Sequence, residues 1–182
     1  FQFDKKNGIN PATGQKFFSK IIGFDIDAKR IEELNRSFDR TNEFKKEEFE
    51  NIRGLFFTCD SDYLERSDIF IVSVPTPIDE SKNPDLRFLE YASRLVGESI
   101  NYLSKTKIDS NFRKPIVIFE STVFPGATEE VCVPIIEKYS NLVFNKDFYC
   151  GYSPERINPG DPERKIKDIV KVTSGSSKEA AN

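Results

Sequence analysis

Two short apolar runs, "DIFIVSVPTP" (68–77) and "KPIVIFEST" (114–122), constrain the fold more than any other feature of the chain. Each is hydrophobic at consecutive rather than alternate positions, so both faces of the strand it forms must be covered. An amphipathic stretch follows each. "PDLRFLEYASRLVGESINYL" (84–103) carries Leu86, Leu89, Ala92, Leu95, Val96, Ile100 and Leu103 on or near one helical stripe. "GATEEVCVPIIEKYS" (126–140) reads as another helix. The same alternation runs upstream. "KIIGFDID" (20–27) and "LFFTC" (55–59) are strands by composition, separated by helices at 28–38 and 41–54, and "DSDYLERS" (60–67) is a short capped helix. "FYCGYS" (148–153) and "IVKVTSG" (169–175) supply the last strands. Strands and helices in alternation predict an open, doubly wound α/β fold, a Rossmann-like parallel sheet with helices on both faces.

What the chain lacks narrows its chemistry. With no His, imidazole catalysis and His-ligated metal are excluded within this sequence. Cys59, Cys132 and Cys150 are far apart and odd in number, which makes neither a disulfide framework nor a metal knuckle. A net charge of -3 leaves no basic footprint for nucleic acid. There is no apolar run of the roughly 20 residues that span a bilayer and no basic-then-apolar leader, so the expected location is the cytoplasm.

Residues 4–16 are polar and carry Gly8, Pro11 and Gly14, so 1–19 reads as a flexible segment or insertion ahead of a domain that begins at residue 20. The chain has no Met and stops about one turn into a helix that Ser176 or Ser177 would cap, the look of a piece of a larger protein. A dinucleotide fold opens with a strand and a glycine-rich turn. "NGINPATGQ" has its glycines at the wrong spacing, so that first unit is expected to be missing.

In an open α/β sheet, ligands bind beyond the carboxyl ends of the strands. Asp25 stands at such an end, where a carboxylate can accept from both hydroxyls of an adenosine ribose; Arg30 is one turn into the next helix, within reach of the same group. The alternative for an acid at this place is to complement the helix macrodipole, a role that suits Asp27 better. S-adenosylmethionine enzymes use an acid in the same way, so the feature marks adenosine and not redox chemistry. Thr76 in "VPTP" and Thr122 in "ESTVFPG" each set a hydroxyl beside a proline-fixed turn. "GYSPERINPGD" (151–161) places Glu155 and Arg156 between prolines, either as a solvated turn pair or as a rigid loop for a charged ligand.

Taken in order, "GFDIDAKRIEELN", "DRTNEF", "VSVPTPID", "NPDL", "ESTVFPGATEE" and "GYSPERINPGD" resemble the UDP-glucose/GDP-mannose dehydrogenase family, and within it the branch that oxidises UDP-N-acetylhexosamines to uronic acids for surface polysaccharides. The resemblance implies residues 20–182 as a partial NAD-binding domain, with NAD as cofactor and a UDP-sugar as substrate. It implies two successive oxidations of the C6 alcohol through a covalent adduct on a Cys. Asp25 and Arg30 match the adenosine-ribose site, and Thr76 and Thr122 match NAD contacts. Thr122 also matches a hydroxyl that orders the active-site water, and Glu155 the acid that works with that water. Arg156 and Ile157 match residues lining the substrate. The UDP-glucose branch has a second Glu four residues after the first, where this chain has Pro159. The family's nucleophilic Cys, its catalytic Lys and its UDP-binding domain match nothing up to Asn182, so the 182 residues alone are expected to be inactive. The full-length protein is expected to be a homodimer or larger. Two rival readings are a non-catalytic adenosine-binding module and an S-adenosylmethionine-dependent transferase.

Overall fold

The computed structural model describes residues 20–42, 44–50, 54–78, 80–106, 114–154 and 172–181. Residues 1–19, read above as a flexible segment or insertion, lie outside the described residues. The chain divides into two units, Phe1–Leu64 and Glu65–Asn182.

In the first unit, β1 (Ile21–Phe24) pairs in parallel with β2 (Leu55–Thr58), in a register running from Ile21↔Leu55 to Phe24↔Thr58. Parallel partners need a long crossover; here it contains α1 (Ala28–Asn35) and the short α2 (Lys46–Glu50). α1 starts where the Asp27 carboxylate accepts from the amides of Lys29 (2.9 Å) and Arg30 (3.2 Å), two donors with no partner inside the helix. It stops short of the expected 28–38 span. Arg36 donates back into the last turn, and Ser37 takes a left-handed conformation with φ 56°. Phe38, just past this stop, is 55% exposed. α2 likewise starts later than the helix expected over 41–54, of which residues 43 and 51–53 are not among those described. Edge-to-face contacts of Phe49 with Phe44 (5.9 Å between centroids) and with Phe57 (6.2 Å) tie α2 to β2.

The second unit holds β3 (Ile69–Val72), β4 (Ile116–Phe119), β5 (Tyr149–Tyr152) and β6 (Ser174–Gly175), in the order β3-β4-β5-β6. The first two pairings are parallel, whereas β5 and β6 run antiparallel. The sheet is thus mixed, not wholly parallel. Its register aligns Phe70, Val117 and Cys150 in one row and Val72, Phe119 and Tyr152 in the next. Val117 and Phe119 are 0% and 1% exposed, which marks this face as the core. α3 (Arg87–Thr106) and α4 (Val133–Ser140) pack on each other and bury Leu89, Val96, Ile100, Leu103, Val133 and Ile136. The opposite sheet face is less covered, with Ile69 39% exposed. A short α5 (Lys178–Ala181) follows β6.

Two details of the helices follow from single residues. α3 and α4 touch at Gly97, where an added Cβ would lie 2.9 Å from Tyr139 Cβ and 3.0 Å from the Ile136 carbonyl. No larger residue fits that crossing without moving a helix. Ahead of α4 the chain forms a π-helical turn over Thr128–Cys132. Pro134 has no amide to return to Glu130, and its ring would press on that carbonyl in a regular α-helix; the wider turn relieves both.

Candidate cofactor and active site

Two groups of side chains stand just beyond the carboxyl ends of the strands, one group in each unit, where open α/β sheets bind ligands. In the first, Asp25 follows β1. Its amide donates to the Thr58 carbonyl (3.2 Å), and its Oδ1 accepts from the Asp27 amide (2.9 Å). The carboxylate is thereby oriented by its own turn and remains exposed.

Arg30 is held more tightly. Its Nη2 donates to Asp39 Oδ1 at 2.7 Å, and the Asp39 side chain is 1% exposed. The same oxygen accepts from the Thr41 hydroxyl (2.7 Å) and the Thr41 amide (3.2 Å), and Asp39 Oδ2 accepts from the Phe44 amide (3.1 Å). Burial pushes the Asp39 carboxyl up, but the hydrogen bonds from Arg30, Thr41 and Phe44 outweigh it and hold the group well below the ordinary carboxylate range. Arg30 Nη1 is buried without a hydrogen-bond partner, 3.9 Å from Glu33 Oε2. Arg40 completes the network, from its Nε to Glu33 Oε2 (2.6 Å) and from its Nη2 to Asp27 Oδ2 (3.0 Å).

In the second unit, the loops after β3 and β4 are laced together. The Thr76 hydroxyl donates to the Thr122 carbonyl, and the buried Ser121 hydroxyl donates to the Val74 carbonyl at 2.7 Å. Thr76 therefore spends its proton on the partner loop, while the Thr122 side chain faces solvent. Gly126 closes the second loop with φ +94°, and a Cβ there would meet the Glu130 carboxylate at 2.8 Å. Only glycine takes that backbone freely. After β5, Ser153 is 1% exposed; its amide donates to the Phe119 carbonyl (2.9 Å) and its hydroxyl to the Val172 carbonyl (3.0 Å). The strand that leads into "PERI" is thus fixed at Ser153. Glu155, Arg156 and Ile157 themselves lie outside the described residues.

Cys132 and Cys150 are buried and supply no nucleophile at these ends, whereas Cys59, just after β2, is exposed. Burial pushes the Cys132 thiol up to about 11 and raises that of Cys150 further, so neither is a thiolate near neutral pH. Among the described residues, no group of three His, Cys, Asp or Glu side chains could hold a metal ion. No helix among them is long and apolar enough to cross a membrane.

The residues present suit a dinucleotide. An oriented, exposed carboxylate at the end of a parallel strand fits a vicinal diol, and the orphaned Nη1 of Arg30 is a donor lacking an acceptor. Residues 12–182 match the family model described as the UDP-glucose/GDP-mannose dehydrogenase family, NAD binding domain. The chain belongs to this family. The match favours the dehydrogenase reading over the transferase and the non-catalytic module. Among its relatives is a UDP-N-acetyl-D-glucosamine 6-dehydrogenase of Pseudomonas aeruginosa, 49% identical over 161 residues that make up 88% of this chain and 36% of that protein. Protein CapL of Staphylococcus aureus is 48% identical over 88% of this chain and 35% of its own length. Among solved structures, a UDP-D-ManNAc dehydrogenase from Pyrococcus horikoshii superposes with a TM-score of 0.72 at 31% identity, over 89% of this chain and 37% of that one. The chain therefore spans about a third of the length of these relatives.

Of the site residues legible in the sequence, Asp25, Arg30, Thr76 and Thr122 lie among the described residues; Asp39, Ser121 and Ser153 have no such signal as site residues. A turn signal for Asp39 is present in "DRT", an acid with a Thr two residues on, the pattern by which a carboxylate caps its own turn. Its pairing with Arg30 was not readable, because the two are joined only through the course of the loop.

Proposed function

We propose that the chain is the NAD-binding part of a dehydrogenase that oxidises the C6 alcohol of a UDP-N-acetylhexosamine to the uronic acid, a precursor of surface polysaccharide. The observation that carries this reading is the high identity, along nearly the whole chain, to an enzyme named for UDP-N-acetyl-D-glucosamine. Pro159, standing where the UDP-glucose branch has its second Glu, supports the same choice. In this reading the protein is cytoplasmic and works as a homodimer or larger.

NAD supplies the hydride acceptor. In this reading Asp25 accepts hydrogen bonds from the adenosine ribose, with Arg30 beside it. Thr76 fixes the β3 loop against the β4 loop at the cofactor. Thr122 presents its hydroxyl to the cofactor and to the water of the hydrolytic step. Glu155 takes the proton of that water, and Arg156 and Ile157 line the sugar nucleotide. Residues 20–182 belong to the cofactor domain, and the family match reaches back to residue 12.

Turning an alcohol into a carboxylate removes four electrons, so the full-length enzyme given UDP-N-acetylglucosamine yields two NADH per uronic acid formed. UDP-glucose is turned over roughly 100-fold less efficiently, since a site built around an acetamido group is left with unpaired polar groups when that group is missing. One NADH per sugar, or a preference for UDP-glucose, contradicts this reading.

A further inference from the structure

Among the described residues, the side-chain network beside Asp25 holds more acid than base, and the Nη2 groups of Arg30 and Arg40 are already engaged. Asp25, Asp27, Glu33 and Asp39 stand against Arg30 and Arg40, four negative groups to two positive. Arg40 bridges Asp27 and Glu33, and Arg30 is fixed by Asp39. A ligand with a phosphate on its adenosine ribose would meet the Asp25 carboxylate first, and would need a free guanidinium to offset it.

We infer that Asp39 is a positioning residue that sets cofactor choice: it ties Arg30 into a half-buried ion pair, so that the guanidinium does not turn to a 2′-phosphate and the site takes NAD rather than NADP. This inference rests on the proposal that Asp25 and Arg30 hold the adenosine ribose. The geometry explains why the tie is firm. Asp39 does not rely on Arg30 for its own place; the Thr41 amide and hydroxyl and the Phe44 amide fix the carboxylate independently. Pulling Arg30 away would take a 2.7 Å charge-assisted hydrogen bond from a carboxylate that is 1% exposed, a costly step. The pair thus resists a rotation that a solvent-exposed arginine would make at little cost. Arg30 by itself, one turn beyond the ribose acid, would otherwise favour the phosphorylated cofactor.

The test uses the full-length enzyme at saturating UDP-N-acetylglucosamine, with kcat/KM measured for NAD and for NADP. Asp39→Asn keeps the side chain's size and removes its charge; it raises the NADP-to-NAD ratio about tenfold, mainly through a lower KM for NADP. The double variant Arg30→Gln/Asp39→Asn loses that gain, because the released guanidinium is what takes the phosphate. A fall in kcat/KM that is equal for both cofactors overturns the inference, as does a gain that survives loss of Arg30. If Asp39→Asn does not fold, Thr41→Val, which removes one of the bonds fixing Asp39, shifts the ratio about threefold in the same direction, and no shift there overturns it. Asp25→Asn separates this inference from the reading beneath it. If it leaves the NADP-to-NAD ratio unchanged, the ribose site is not at Asp25; if it raises the ratio while Asp39→Asn does not, only the role of Asp39 fails.

Discussion

Glu155→Gln in the full-length enzyme lowers kcat by about 10²- to 10³-fold and leaves the KM for the sugar nucleotide within about threefold. The amide keeps the length and hydrogen-bonding reach of the side chain but cannot take a proton. A base that acts only on the hydrolytic water stabilises a late transition state and not the bound substrate, so the loss falls on turnover. The covalent adduct that the family resemblance implies then outlives its normal breakdown, and intact-mass spectrometry reads it as added sugar-nucleotide mass. The proposed role of Arg156, one residue on, is to position a charged ligand, and with that role Arg156→Ala raises KM instead. Normal turnover by a folded Glu155→Gln enzyme would leave "PERI" as no more than a connecting turn.

Phe119→Ala destabilises the second unit by about 3–5 kcal/mol, one of the largest effects any single truncation has on a fold of this size. Phe119 is 1% exposed at the last position of β4, level with Val72 on β3 and Tyr152 on β5. Its ring occupies the core face of the sheet, which α3 and α4 close over. Truncation loses the ring's burial and leaves a cavity that the neighbouring strands cannot collapse into, since they are held in register. The melting temperature falls by roughly 10 °C, at about 2–4 °C per kcal/mol for a chain of this length. The effect reaches the site as well, because the Phe119 carbonyl accepts the Ser153 amide at the entrance to residues 155–157. Denaturant titration checks the size; a change below about 1 kcal/mol would mean that this sheet face is not packed.

The strands of the second unit were legible because burial is written directly into composition: "IFIV" and "IVIF" leave little choice but a covered strand. The long helix was legible in position and less so in its face. Hydrophobicity marks Leu86, Ala92 and Leu95, yet these are half-buried, while Ser93 and Gly97 are fully enclosed. Close helix contact is made by small side chains, and a reading by hydrophobic stripe passes over them. The mixed sheet was not legible, since a two-residue strand such as Ser174–Gly175 has no composition of its own and takes its direction from the strand it joins. At the site, strand ends pointed to Asp25, Thr76 and Thr122. What the side chains do there is set by partners far along the chain, as in the tie from Thr76 to the Thr122 carbonyl, 46 residues away.

The central claim, that the carboxylate after β1 holds the cofactor's adenosine ribose, is tested most directly by titrating NAD into the full-length protein and its Asp25→Ala variant. Charge-assisted hydrogen bonds contribute about 1.5–3 kcal/mol each, so loss of the carboxylate weakens NAD binding by about 100-fold. Binding of NADP is unchanged or tighter, since the same substitution removes a repulsion. An NAD dissociation constant that stays within about twofold of the parent value, in a protein that melts normally, would contradict the account.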